Sequence, residues 1–288
     1  MDVLATRRNR LPRPSDRIDL RGLQVSPICV GMVGDARAIA AAFEMGINFF
    51  FVTADMHWPR YANTRRGLAQ LLAKPGRRDE VVIAGVSYVT QSEFCSVPFR
   101  ELVDEVSGLE RLDVLLAGGA YGHEIDARLP IYERHRERSH CGARAIGATF
   151  HDRRACASQM CAGNIDVAFS RYSASHAGAR TDLFPLVTAR PRAPLFTFKS
   201  TSGWTSPEKA AAAGIPSDVW LPTIPDQYRF ALSCEAIDGV LVGVNSPGQL
   251  RELDEALAAG PLGDDEQDHL LLLAELTQSE SKLDLRLG

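Results

Sequence analysis

Apolar residues fall into short, unbroken runs that recur from one end of the chain to the other. The runs are Pro27–Val30, Asn48–Thr53, Val81–Val86, Asp113–Ala117, Ala143–Thr149, Ile165–Ser170, Pro194–Phe198 and Gly239–Gly243. Continuous apolar character over so few residues fits strands buried on both faces; half-exposed strands would alternate. The intervals are too long for hairpins and carry helical periodicity instead. Asp35–Glu44 is closed by Gly46 and Asn63–Lys74 by Gly76, while Val97–Glu110 gathers Phe99, Leu102, Val103 and Val106 on one side. Ser206 followed by Pro207 opens an Ala-rich helical turn closed by Gly214, and Ser246 followed by Pro247 opens a helix to Ala258 closed by Gly260. A last amphipathic helix, Leu270–Leu276, follows an acidic stretch that suits a helix start.

Eight strand–helix units in one chain predict a closed (β/α)8 barrel of the TIM type, α/β in class, with a right-handed crossover at each step. An open doubly wound sheet is the alternative, but no strand is followed by GxGxxG. Ahead of the first barrel strand, Arg17-Ile-Asp-Leu-Arg and Leu23-Gln-Val-Ser alternate about Gly22, which predicts an N-terminal β-hairpin plugging the lower end. Residues 1–16, with Arg7, Arg8, Arg10 and Arg13, read as a flexible basic arm, and 17–288 as a single barrel domain. No internal repeat is visible.

Composition narrows the partners. Lys and Arg total 32 against 36 Asp and Glu, a formal charge of -4, and no basic stripe lies outside the first 21 residues. Nucleic acid is therefore an unexpected partner and a small molecule the expected one. No apolar run approaches the roughly 20 residues that span a bilayer, so no membrane partner and a cytoplasmic location are expected. The six cysteines are scattered with no CxxC, as reduced thiols are, and Cys156 and Cys161 near His151 fall on different helix faces, so no metal is expected. Oligomeric state is not legible.

Seven phrases go further. They are Leu23-Gln-Val-Ser-Pro with Gly31; Ala42-Phe-Glu-Met-Gly-Ile-Asn-Phe-Phe leading to Thr53-Ala54-Asp55; Arg78-Asp-Glu-Val-Val-Ile-Ala; Leu109-Glu-Arg-Leu-Asp-Val-Leu-Leu; Arg144-Ala-Ile-Gly; Ile165-Asp-Val; and Gly239-Val-Leu-Val-Gly-Val-Asn-Ser-Pro-Gly-Gln-Leu. In order and spacing these resemble the aldo-keto reductase family over nearly the whole length. The resemblance implies a nicotinamide cofactor, usually NADPH, lying across the barrel mouth. It also implies carbonyl reduction by an Asp, Tyr, Lys and His tetrad, in which Tyr gives the proton and the others stabilise the alkoxide. The matching positions here hold Val52, His57, Val86 and Gly118, so the tetrad is lost. For the cofactor, Thr149 stands where a Ser would hold the carboxamide, and Phe169 where a Gln is usual. Ser246, Gln249 and Glu252 match positions facing the adenosine phosphate, although Val244 or Asn245 replaces the expected base. Ser246 and Gln249 could equally form a capping box. Phe196 or Phe198 could stack on nicotinamide or fill the core.

Because inward positions alternate along a strand, the residues two steps above the tetrad layer also face the mouth. These are Tyr88, His151 and Arg171, and with His57 they form a second candidate constellation. His57 suits proton transfer or is a loop histidine. Arg171 suits a bidentate grip on a carboxylate or phosphate, or a rim ion pair. Tyr88 is a donor or a wall, and His151 a pocket group or, with Asp152, a helix cap. Asp55 could orient His57. Trp58 and Trp204 could form an aromatic substrate rim, and Lys199 and His123 could meet a ligand, with Gly118 and Gly119 opening space for it. The expected function is redox-neutral acid/base chemistry on a small organic metabolite, an anionic one if Arg171 grips it. Alternatives are an NAD(P)H-dependent carbonyl or imine reductase with His57 as proton donor, and a non-catalytic binding barrel.

Overall fold

The computed structural model describes residues 9–136 and 143–287, and the side chains of all of these except His123 and 278–287. A hairpin comes first, β1 (Ile18–Leu20) and β2 (Leu23–Val25). Its two-residue loop, Arg21 and Gly22, has φ of 51° and 81°. Positive φ at both positions gives the turn whose twist matches antiparallel strands, which explains the pairing of Leu20 with Leu23.

Eight parallel strands then close a barrel: β3 (Ile28–Val33), β4 (Phe49–Thr53), β5 (Val82–Ser87), β6 (Val114–Ala120), β7 (Ala145–Phe150), β8 (Val167–Arg171), β9 (Leu195–Phe198) and β10 (Gly239–Val244), with β10 pairing β3. The predicted (β/α)8 barrel and its N-terminal hairpin are both present. All eight expected strands appear, displaced by a few residues at their ends. Helices Gly122–Arg136, Arg153–Ala162 and Ile224–Leu232 join the expected ones. The first of these was hidden by its glycine-rich approach and by Pro130 in its interior. The helix expected over Val97–Glu110 stops at Glu105, because Gly108 and Glu110 turn left-handed.

Rings of Phe49, Phe169 and Phe196 fill the barrel interior. Phe169 stacks on Phe196 with centroids 5.1 Å apart, and Phe49 meets Phe196 edge-on at 5.4 Å. A Cβ on Gly239 would lie 2.4 Å from the Phe196 ring, so glycine at the start of β10 makes room for that layer.

One interaction recurs around the lower rim. The residue just before each of β4, β6, β8 and β10 is Asn48, Asp113, Asp166 or Asp238. Asp113 accepts the Ile83 N–H at 2.8 Å and gives its own N–H to the Ile83 carbonyl at 3.0 Å. Asp166 does the same with Ile146 at 2.9 and 2.8 Å, and Asp238 with Leu195 at 2.8 and 2.7 Å. Asn48 accepts the Ser26 N–H at 2.8 Å and donates its N–H to the Ser26 hydroxyl at 3.2 Å. Every second strand is thus clasped to the one before it. The three carboxylates are held in turn by arginines: Arg78 on Asp113, Arg21 and Arg136 on Asp166, and Arg190 and Arg192 on Asp238.

Arg21 is the hairpin tip, so the hairpin is fixed to this rim. The leading segment expected to be a flexible arm lies against the barrel from Asn9 onward. Leu11 is buried and Arg13 pairs with Asp254 at 2.7 Å, so one apolar anchor and one ion pair hold it. Residues 1–8, with Arg7 and Arg8, lie outside the described residues.

Truncating a clasp should be costly, since Asp113 and Arg78 are both almost fully buried. Asp113→Ala is expected to destabilise by about 3–5 kcal/mol, because it strands a buried guanidinium. Asp79→Ala, which removes a mostly exposed partner of Arg111, should cost under about 1 kcal/mol. Urea denaturation of the two variants side by side checks the contrast; equal losses would contradict the rim's role.

Candidate active site

A cavity of about 340 Å³ opens at the upper end, where the strands terminate. Its walls are largely aromatic, from Phe51, Tyr61, Tyr88, Phe198 and Tyr228, with polar atoms from His57, Thr149, His151 and Lys199. That mixture, apolar walls with a few converging polar groups, is usual for a small-molecule site.

Of the expected residues, His57, Tyr88 and His151 come together here. The His57 and Tyr88 rings meet edge to face, 4.9 Å between centroids. Burial, and secondarily Asp55, push the Tyr88 phenol up to about 12, so it keeps its proton at neutral pH. His151 stands edge-on to Phe198 at 5.3 Å and lies parallel to Tyr121 at 6.0 Å. It takes no part in capping: Asp152 alone caps the helix Arg153–Ala162, accepting from the Arg154 and Ala155 amides. Burial, with Lys199 and Arg171 nearby, holds the His151 imidazole below its ordinary value.

Asp55 does not orient His57. One carboxylate oxygen accepts from the Thr53 hydroxyl and the Met56 N–H, both at 2.7 Å, and the other accepts the Tyr88 N–H at 2.5 Å. It ties the loop after β4 to the loop after β5 and so places Tyr88.

Trp58 is not a free aromatic rim either. Its indole N–H donates to Glu105 at 2.9 Å, and the Arg65 guanidinium lies 4.5 Å from its ring centroid. Arg65 also donates to the Thr53 and Trp58 carbonyls and to Glu105. The indole is spent on pinning the segment that carries His57. Trp204 donates to the Pro222 carbonyl at 2.8 Å and is not among the cavity-lining residues.

The space expected from Gly118 and Gly119 is taken by Tyr88. A Cβ on Gly118 would lie 2.6 Å from the Tyr88 ring, so the absent side chain accommodates that ring rather than a ligand. Behind it, the buried Arg128 donates to the carbonyls of Gly118, at 3.1 Å, and Ser87, joining the ends of β6 and β5. The side chain of His123 lies outside the described ones.

Arg60, Ser200, Thr201 and two tyrosines of the cavity escaped sequence reasoning. Tyr61 lies four residues beyond His57, at the end of the short helix Trp58–Tyr61, and burial holds its phenol well above the ordinary range. The helical spacing was the available signal. Tyr228 comes from the helix Ile224–Leu232; burial pushes its phenol up to about 12. Nothing in its sequence neighbourhood marked it. A correction applies to the position matched to the tetrad Asp. Phe49 and Phe51 both meet the inward Phe169, so strand alternation turns Val52 outward and makes Phe51 the inward residue. No carboxylate stands at either.

The residues present do not fit a nicotinamide dinucleotide in the manner the resemblance implied. Phe169 offers no carboxamide partner and is fully buried against Phe196, itself fully buried and so unable to stack on a ligand. Phe198 does reach the cavity. The Thr149 hydroxyl lines it too, accepting the Gly119 N–H at 2.8 Å. At the start of helix Pro247–Ala258, Ser246 makes no cap bond, and the Gln249 side chain accepts the Asn245 N–H at 2.7 Å. Neither bond of the expected box is thus formed, because Gln249 reaches past Ser246 to the residue before it. Glu252 is exposed, and Val244–Gln249 contains no cation for an adenosine phosphate. Among the described residues no cluster of His, Cys, Asp or Glu could hold a metal, and no helix is long and apolar enough to cross a membrane.

The fold is that of the (β/α)8 barrels whose sites lie at the strand C-termini. Among solved structures it is similar to an aldo-keto reductase of Bacillus halodurans in its holo form, at 16% identity over 90% of this chain and 96% of that one, with a TM-score of 0.71. It is also similar to a glycerol dehydrogenase of Gluconobacter oxydans, at 12% identity over 90% of this chain and 95% of that one, TM-score 0.66. At these identities the likeness is one of fold. No protein-family model matches the chain, and no curated protein sequence does.

The fit of Tyr88 over Gly118 is open to a direct check. Gly118→Ala should destabilise by about 2 kcal/mol through overpacking. In a Tyr88→Ala background most of that cost should vanish, a coupling that a double-mutant cycle in urea would measure. Additive effects would show that the ring and the glycine do not depend on each other.

Proposed function

We propose that this chain is a divergent enzyme of the aldo-keto reductase type that transforms a small organic molecule by redox-neutral proton transfer. The observation that carries the reading is the contact of His57 with Tyr88 at the cavity, while the other tetrad-matched positions, Val52, Val86 and Gly118, are apolar or empty. In this reading His57 moves the proton to or from substrate. Tyr88, kept protonated by burial, donates a hydrogen bond to the oxyanion that forms. Asp55 and the Arg65–Glu105–Trp58 group are positioning residues. They hold the two rings in place without touching substrate.

A reductase using NADPH is the second reading, favoured by the Thr149 hydroxyl in the cavity and by the fold likeness to a holo aldo-keto reductase. Elimination, isomerisation and hydrolysis are the reaction classes open to the first.

Titration of the purified chain with NADPH and NADH, followed by heat or fluorescence, separates the two. The expected result is no saturable binding up to about 1 mM, a standard free energy weaker than about -4 kcal/mol. Micromolar binding would sink the redox-neutral reading. Once a turnover assay is in hand, His57→Gln should lower the rate by about 10²–10⁴-fold, the usual loss of a general acid or base, with the fold retained.

A further inference from the structure

Beside the cavity stands a group of cations that the proposed proton transfer does not use. Arg171 ends β8 and Lys199 follows β9 directly; Phe198, the register partner of Arg171, carries its ring into the cavity wall. Among the described residues no carboxylate forms an ion pair with Arg171 or Lys199. The Arg171 Nε is buried with no hydrogen-bond partner, as are those of Arg128 and Arg192, but these two have their other guanidinium nitrogens bonded to protein groups. A buried N–H without an acceptor favours a ligand that supplies one. Lys199 adds a second sign of a built site. It is a non-glycine residue at φ 54°, a left-handed conformation that persists only where the surroundings enforce it. Its carbonyl accepts the Ser202 N–H, and Ser200 next to it is held by Thr197, so the turn is closed on itself.

The third member is His176. The Ser175 hydroxyl lies 2.7 Å from the Ser202 carbonyl and 2.8 Å from His176 Nδ1, so a short chain of hydrogen bonds ties the imidazole to the loop after β9. Carboxylates nearest in sequence are committed elsewhere: Asp152 to the helix amides and Asp182 to Arg153.

We propose that Arg171, Lys199 and His176 form a docking site for the carboxylate of an aromatic or cyclic acid, whose ring enters the adjoining aromatic cavity. The inference rests on the reading of that cavity as a substrate site, and it supplies the substrate class. Arginine's planar fork matches a carboxylate edge, and Tyr61, Tyr88 and Phe198 offer faces and edges to a flat ring. A phosphoryl group is less well served. The Ser202 and Trp204 amides are turned inward to Lys199 and Thr201, so they do not contribute to a cradle of free backbone N–H groups.

Binding should also take up a proton. Around His176 stand Arg171, Lys199 and Arg153, with Ser173 and Ser175 on its own segment; around His151 stand Lys199, Arg171, Tyr121 and Phe198. Burial and these cations hold both imidazoles below their ordinary value. A bound carboxylate opposes the cations and raises both. Affinity is then greatest at low pH and falls as pH rises through the values of the bound state.

Calorimetric titration of the whole chain with benzoate, benzyl alcohol and phenyl phosphate tests this. Benzoate should bind at millimolar concentration or better, at least about tenfold more tightly than benzyl alcohol, and more tightly at about pH 6 than at about pH 8. Arg171→Gln should weaken it by about tenfold or more, and Lys199→Met by severalfold, with circular dichroism unchanged. No benzoate binding at about 50 mM, equal affinity in both variants, or a tenfold preference for phenyl phosphate would each overturn the assignment. The titration reads binding alone and includes no turnover step. A failure of proton transfer at His57 would therefore leave the docking result standing.

Discussion

The clasp repeated at the lower rim is the constraint on which the rest of the molecule depends. At the lower rim the ladders of a parallel barrel run out, and an amide at or near the start of a strand needs an acceptor from outside the regular ladder. Asn48, Asp113, Asp166 and Asp238 meet that need at every second strand with a side-chain acceptor. Each of the three carboxylates also returns a backbone N–H to the same neighbour, which sets the offset between the two strands. Carboxylates placed so far inside need cations, and the arginines that supply them come from loops, helices and the hairpin tip. Closure of the barrel, seating of the hairpin and burial of the lower arginines are therefore one problem with one solution.

The upper end follows a different rule. Above the phenylalanine layer the interior is no longer filled by regular inward positions, and the side chains there are placed by polar ties between loops. Asp55 joins the loops after β4 and β5; Arg65 and Glu105 secure Trp58; Arg128 joins the ends of β5 and β6. These ties are numerous where His57 and Tyr88 stand, whereas the Arg171 Nε has no hydrogen-bond partner. Under the proposed function this is a division of labour, in which the His57–Tyr88 pair is set before substrate arrives and Arg171 is completed by it.

Most of the fold was legible because burial on both faces leaves an unmistakable run of apolar residues, and because glycine and proline mark the helix ends. The rim clasp was written in the sequence as well, in Ile47-Asn48, Leu112-Asp113, Ile165-Asp166 and Ile237-Asp238. It was hidden because the phrases are spaced unevenly and each looked complete on its own. The site was legible only in part. Alternation along a strand carried Tyr88 and His151 to the cavity and Arg171 to its edge, since that rule is geometric and local. The roles of Asp55, Trp58 and Trp204 were not legible, because a polar side chain in a loop is assigned by whichever backbone group folds against it. Tyr228 arrives from a distant helix, and no local pattern records such a meeting.

The pairing of Gly118 with the Tyr88 ring has a consequence for how such a barrel can change over time. The room that a histidine would need at position 118 is occupied, so placing one there alone would produce a clash. Tyr88 would have to leave first, and its departure would dismantle the contact with His57. Two neighbouring positions are thus bound into a single step, in which a change at either has to be matched by a change at the other.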